Sequence, residues 1–330
     1  MDIGKILMQI KMKKISGDAS FREFYRIQKN PGSSILVKAN KDKYKNLIVY
    51  AAINQFLLKN NVKAPKLIKE YFHHNMMEIE DLGRFSFLDF IKNKKNKFSF
   101  YKKLIDIVIK LQNLKLKKFI SFKRYKIKVG QYNLKQLHKE SDLFFDWYLK
   151  NSIKKNKFNY YKKKIKQELN QLYKNLYFQN KCFVHRDFHA SNIMLNKYKL
   201  ALIDSQDAIT GNLFYDLASV IDDVRIKIPA NLKSLLFKYY ISKTNKIKLG
   251  EFKFAKNDFD ILSIQRNLKI LGIFVRLSLR DKKNNYLRLL PYTWRLIELR
   301  LNNPIFSRLK MLLKDCVSLK MRKKIKFYAN

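Results

Sequence analysis

Asp187, Asn192 and Asp204 stand at fixed offsets in this 330-residue chain, the first two inside HRDFHASN (185–192) and the third closing the run KLALID (199–204). A carboxylate, an amide oxygen shortly after it and a second carboxylate beyond a hairpin match what phosphoryl transfer demands. That reaction needs a carboxylate to orient an attacking hydroxyl and accept its proton, and oxygen ligands for the Mg2+ that neutralises charge on the phosphates. Asp187 suits the first role, and Asn192 and Asp204 suit the second. Arg186 and His189 flank Asp187 and complete the candidate catalytic group. Any one of these residues alone reads more simply as a turn former or a helix cap. Five of them at these offsets on one strand, loop and hairpin point to chemistry instead.

Elements on either side must hold that group in place. The apolar residues 182–184 read as a strand delivering the chain into the loop, and 193–195 with 200–203 read as a tight hairpin around 196–199. Near the start, GDAS (17–20) is followed by the alternating aromatic stretch 21–27, the turn NPGS (30–33) and a strand over 34–39. Strand, glycine turn and strand can cover nucleotide phosphates, with Ser20 and local backbone amides as contacts; an ordinary hairpin is the alternative reading. ILVK (35–38) ends in Lys38, a candidate phosphate contact, and 44–59 reads as a helix. That helix has no acidic residue to hold such a lysine, which leaves Asn54 or Gln55 as substitutes or Lys38 held in another way. Residues 66–72 and 76–80 read as a strand pair around HHN (73–75), whose histidines have no partner cysteines or spaced histidines and belong to a surface turn.

From residue 87 the pattern turns helical, with apolar steps of three and four over 98–111 and 134–149. Within the latter, ESDLFFDWY (140–148) concentrates acids and aromatics. It reads either as a wall for a sugar ring or as a core-facing helix with a charged outer side. Residues 154–174 read as a basic amphipathic helix with a solvated face, and Asp216 opens a further helix at FYDLAS (214–219).

The loop with His185, Asp187, His189 and Asn192 resembles the catalytic loop of aminoglycoside-phosphotransferase-like kinases. Together with GDASFREFYR (17–26), MMEIEDLG (76–83), LFFDWY (143–148), IDSQDAITGNLFYDLAS (203–219) and QRNLKILGIFVRL (265–277), it makes most of the chain resemble the bacterial anomeric kinases for N-acetylmuramate and N-acetylglucosamine of cell-wall recycling. The resemblance implies an α+β, two-lobed protein-kinase-like fold. Its small β-rich N-lobe with the hinge would span 1–83 and bind nucleotide; its larger, mostly helical C-lobe would span 84–330 and carry catalysis and the substrate. ATP and Mg2+ are implied as cofactors. The implied roles are catalysis for Asp187, His189 and Arg186, ATP contact for Ser20, Lys38 and Glu80 with adenine meeting the backbone at the hinge, and metal ligation for Asn192 and Asp204. Asp216 would anchor the catalytic loop, and the acceptor would be the C1 hydroxyl of the amino sugar. Two positions depart from the pattern: Ser205 stands where Phe is expected, and Lys38 where an acidic residue is commoner. The alternatives are a kinase for another small hydroxyl compound, such as an amino alcohol or another sugar, and an inactive kinase-like binding protein. The intact Asp187, Asn192 and Asp204 argue against the last.

Length and composition fit this expectation. The chain is long enough for two lobes and a sizeable core. Its 71 basic against 26 acidic residues give a formal charge of +45, which would suit a nucleic-acid or anionic-membrane partner. Only 14 of the basic residues are Arg and 57 are Lys, scattered along most segments amid abundant Asn, Ile, Phe and Tyr, as an AT-rich genome encodes. We therefore expect a small-molecule sugar substrate, and no nucleic-acid, membrane or obligate protein partner. Two distant cysteines, Cys182 and Cys316, give neither a disulfide framework nor a zinc site. With no signal-peptide pattern and no run of 18 apolar residues, the expected location is the cytoplasm.

Overall fold

The computed structural model describes residues 12–15, 22–40, 44–196 and 199–327, so the GDAS stretch at 17–20, and Ser20 with it, lies outside the described residues. The chain forms two units assembled from separate stretches. Met1–Lys95, Lys115–Gly130 and His185–Ala208 make the first, and Asn96–Leu114, Gln131–Val184 and Ile209–Asn330 the second.

The first unit is built on an antiparallel sheet of β1 (Met12–Ile15), β2 (Glu23–Gln28), β3 (Ser33–Lys38), β4 (Leu67–Tyr71) and β5 (Met76–Glu80), in the order β1-β2-β3-β5-β4. The central strand β3 reads SSILVK and buries Ile35, Leu36 and Val37 in succession. A strand covered on both faces needs such a run rather than an alternation. The β2–β3 turn closes through Lys29 N–H to Gly32 O at 2.8 Å, and Gly32 takes φ 93°, a left-handed conformation that only glycine adopts without strain.

Helix α1 (Tyr44–Lys59) follows. Leu47, Tyr50, Ala51, Asn54 and Leu57 recur on one face at helical spacing and are all buried. A second short helix, α2 (Phe87–Ile91), starts at a capping box in which Ser86 and Asp89 bond each other's backbone N–H. The hairpin β6 (Phe119–Phe122) and β7 (Tyr125–Lys128) falls inside the stretch expected to be helical. The reason is a switch of period: Ile120 and Phe122 alternate inward while Phe119 and Ser121 stay exposed. The last hairpin, β8 (Ile193–Asn196) and β9 (Lys199–Leu202), pairs Ile193 with Leu202 and Met194 with Ala201, close to the expected bounds.

The second unit is mostly helical. Its described helices include α3 (Phe98–Gln112), α4 (Leu134–Leu143), α5 (Lys155–Lys174), α6 (Phe214–Ile221), α7 (Ala230–Lys243), α8 (Phe252–Leu279) and α9 (Leu290–Arg300). The helix expected over 134–149 changes to a π-helical turn at Phe144–Leu149. Helix α8 lies against it at a glycine. A Cβ on Gly272 would stand 2.1 Å from the Leu143 carbonyl oxygen, so no other residue permits this approach.

The acids and aromatics of 140–148 turn inward. Phe144, Phe145 and Tyr148 are fully buried, and Glu140 accepts hydrogen bonds from Tyr132 Oη (2.5 Å) and Tyr215 Oη (2.9 Å) while Lys269 Nζ lies 3.0 Å away. Of the two readings of this stretch, the core-facing helix holds. Asp142 and Asp146 on its outer side pair with Lys166 and Lys162 of α5. Asp216 is buried in the first turn of α6.

Candidate active site

Every described candidate residue lies in the first unit. After the strand Cys182–Val184, Arg186 takes φ 72°, a left-handed conformation that turns the chain sharply before Asp187. The loop then wraps around the Asp187 carbonyl, which accepts from His189 N–H at 3.0 Å and from Asn192 Nδ2 at 3.1 Å. Ala190–Asn192 forms a single 3-10 turn. These bonds hold Asp187 by its backbone. Its half-buried carboxylate has no side-chain partner among the described residues.

Asn192 and Asp204 are brought together by β8 and β9. Ile203 N–H bonds Asn192 O at 3.0 Å, one step beyond the Ile193–Leu202 pair, so Asp204 is the next residue on the facing strand. Asp204 itself takes φ 65°, unusual for a residue with a side chain. Its neighbours hold that conformation. Asp204 N–H donates to Tyr50 Oη at 3.3 Å, and Ser205 Oγ donates to Asn54 Oδ1 at 2.6 Å while Asn54 Nδ2 reaches Pro65 O at 3.1 Å. Burial and the Asp204 charge push the Tyr50 hydroxyl up to about 12, so it stays a neutral phenol. Ser205, where the pattern led us to expect Phe, thus takes part in a hydrogen-bonded latch to α1.

His185 is fully buried, and burial lowers its pKa against the opposing charges of Asp187, Asp204 and Asp207. It packs edge-on against Phe188 with ring centroids 6.0 Å apart, a floor for the loop. His189 is nearly buried, with Nε2 3.4 Å from Asn192 Nδ2. Arg186 Nη1 lies 3.9 Å from Asp207 Oδ1.

The nucleotide candidates are less tightly drawn in. Lys38 is exposed at the end of β3, opposite Glu23 and Met76, and among the described residues it pairs with no carboxylate. Neither of the helix residues considered as its holder, Asn54 or Gln55, is bonded to it; Asn54 serves Ser205 instead. Glu80 ends β5 with its carboxylate on Lys63 Nζ (2.6 Å) and its N–H on Lys66 O (2.8 Å). The following Asp81 accepts from Arg26, from Ser33 Oγ (2.6 Å) and from Gly83 N–H (2.9 Å). Burial would raise the Asp81 carboxyl, but these donors hold it below its ordinary value. The turn after β5 is fixed as a result.

The donor set at Asn192 and Asp204 fits Mg2+. Asn192 turns its nitrogen to Asp187 O and toward His189, so its oxygen is the atom that could meet a cation, and the Asp204 side chain is 32% exposed. One carboxylate and one amide oxygen are a usual protein share for Mg2+, with phosphate and water completing the shell.

Arg22 was not singled out in the sequence. It lies just before β2, 3% exposed in its side chain, and grips the same turn: Nη2 bonds Asp204 Oδ1, and Nη1 bonds Gln206 Oε1 at 2.7 Å. The only available signal was its place inside GDASFREFYR.

A family model described as the phosphotransferase enzyme family matches residues 11–249, and with them every element of the loop and hairpin. The chain belongs to that family. It is an enzyme, a phosphotransferase with an alcohol group as acceptor. Two relatives are named N-acetylmuramate/N-acetylglucosamine kinase: one from Pseudomonas putida, 28% identical, covering 82% of this chain and 78% of its own, and one from Pseudomonas aeruginosa, 26% identical, covering 86% and 81%. Among solved structures, a thermostable mutant of aminoglycoside phosphotransferase APH(4)-Ia in ternary complex with ADP and hygromycin B matches with TM-score 0.61 at 11% identity, over 92% of this chain and 99% of that one. At such identity the likeness carries the fold, which is the α+β kinase-like fold expected. Among the described residues no helix is long and apolar enough to cross a membrane.

Proposed function

We propose that this phosphotransferase moves the γ-phosphoryl group of ATP onto the anomeric C1 hydroxyl of an N-acetylated amino sugar, N-acetylmuramate or N-acetylglucosamine, giving ADP and a sugar 1-phosphate. The observation that carries the chemistry is the Asp187 loop, in which two donors hold the backbone carbonyl and the carboxylate has no side-chain partner among the described residues. In this reading Asp187 orients the acceptor hydroxyl and takes its proton, and His189 and Arg186 act beside it. Asn192 and Asp204 would hold Mg2+, which when bound neutralises charge on the nucleotide phosphates. Ser20, Lys38 and Glu80 would meet ATP. Because the Glu80 N–H is bonded to Lys66, the adenine contact falls to other backbone groups of the 80–83 turn. We place the nucleotide-binding part at 1–83, the catalytic and acceptor-binding part at 84–330, and the protein in the cytoplasm, where ATP is available.

Support for the acceptor comes from the relatives named above and from charge. A protein of charge +45 repels cationic aminoglycosides and attracts the lactyl carboxylate of N-acetylmuramate, within the reach that salt allows. The test compares both free sugars with their 1-O-methyl glycosides, which keep every other hydroxyl. Only the free sugars should yield product, read by phosphorus NMR. Methyl glycosides phosphorylated as well as the free sugars would refute anomeric transfer while leaving the kinase intact.

Asp204→Asn tests the metal assignment. It removes the charged ligand and should raise the Mg2+ concentration needed for half-maximal rate by about tenfold or more, while lowering turnover. An unshifted Mg2+ titration would move the metal elsewhere.

A further inference from the structure

In kinase-like sites a β3 lysine held by a helical glutamate pairs the nucleotide phosphates, and the carboxylate that follows the catalytic hairpin holds the metal. Here that arrangement is missing. Helix α1 has no acidic residue, and Lys38 is exposed and pairs with no carboxylate among the described residues. Arg22, in contrast, is buried against two aromatic rings, its guanidinium carbon 5.7 Å from the Phe24 centroid and 5.4 Å from that of Tyr50. Its two terminal nitrogens divide between Asp204 Oδ1 and Gln206 Oε1. A planar fork is well suited to fixing two acceptors at once, and a point-charge ammonium is not.

From this geometry we propose that Arg22 is the positioning residue for Asp204. The inference rests on the kinase reading above. Asp204 sits in a left-handed conformation that its own backbone disfavours, and it is clamped from two sides: Tyr50 holds its N–H and Arg22 holds one carboxylate oxygen. With Oδ1 engaged by Arg22, Oδ2 would be the oxygen left to hold Mg2+. Gln206 extends the clamp, because its Nε2 donates to Asp207 Oδ2 at 3.0 Å and Asp207 lies beside Arg186. One guanidinium thereby orders the 204–207 turn next to the catalytic loop.

The role acts through Asp204, so the readout must report metal and nucleotide rather than stability alone. We would measure ADP affinity by calorimetry with and without Mg2+ for the wild type, Arg22→Ala and Arg22→Lys, with thermal melts alongside. The wild type should bind ADP more tightly when Mg2+ is present. Arg22→Ala should keep its metal-free affinity and lose about tenfold or more of the Mg2+ enhancement, the scale seen when a partner of a metal ligand is removed. Arg22→Lys, which keeps the charge but cannot hold both acceptors, should lose part of it, and it serves as the deciding variant if Arg22→Ala does not fold. Variants that melt earlier yet keep the full Mg2+ enhancement would overturn the inference and leave the kinase reading standing. A wild type with no Mg2+ enhancement at all would overturn both.

Discussion

Asp187→Ala should lower turnover by a factor of about 10²–10⁴, the usual contribution of a positioned general base, while ADP affinity stays near that of the wild type. The separation follows from the local bonding. The structure holds residue 187 through its backbone carbonyl, with His189 N–H and Asn192 Nδ2 as donors, so truncating the side chain leaves both bonds in place. No described side chain loses a partner either, because none is bonded to the Asp187 carboxylate. The loop should therefore keep its shape, and the loss should fall on kcat. Steady-state rates with the free sugars, together with ADP binding, check it. Unchanged turnover would remove Asp187 from the base role.

The legible parts of the site are those whose geometry is local. A strand, a tight loop and a two-strand hairpin fix Asp187, Asn192 and Asp204 relative to one another through bonds spanning few residues, so their spacing carried the arrangement. Helix α1 and strands β3 and β5 were likewise visible from period and turn residues. The hairpin at 119–128 was hidden, because two four-residue strands amid helical segments offer too short a pattern to compete. Residues whose work depends on distant contacts were also hidden. Arg22 meets Asp204 across 182 positions, and in a chain with 71 basic residues nothing local distinguishes it. The same holds for QRNLKILGIFVRL and LFFDWY. Gln265 and Lys269 of the first reach Glu140, and Gly272 lies on Leu143 at the start of the second, so the two segments match each other as interior packing.

Asp222→Asn should destabilise the second unit by about 3–5 kcal/mol, the range for breaking a buried ion pair by removing one partner. Asp222 is 1% exposed and lies between two cations, Lys233 Nζ at 2.9 Å and Arg300, whose Nε and Nη2 approach at 2.8 and 2.9 Å; Ser263 Oγ donates to it at 2.6 Å. Burial would raise the carboxyl, but Arg300 and Lys233 hold it well below its ordinary value. Neutralising it leaves buried Lys233 without its ion-pair partner, with the charge of Asp223 acting only from farther off, and among the described residues leaves Arg300 with Asp260 at 3.6 Å. The pH dependence has a definite sign. Because the folded carboxyl titrates below its unfolded value of 3.8, its stabilisation is fully present above that pH and drains away as pH falls toward the folded value. The deficit of Asp222→Asn should accordingly be largest near neutrality and shrink in acid. Denaturant melts at several pH values would measure this. Replacing Asp222, Lys233 and Arg300 together by apolar residues of similar volume should cost less than the single change, since no buried charge is then left alone. A triple variant weaker than Asp222→Asn, or a single variant within about 1 kcal/mol of the wild type, would show that the cluster does not act through charge pairing.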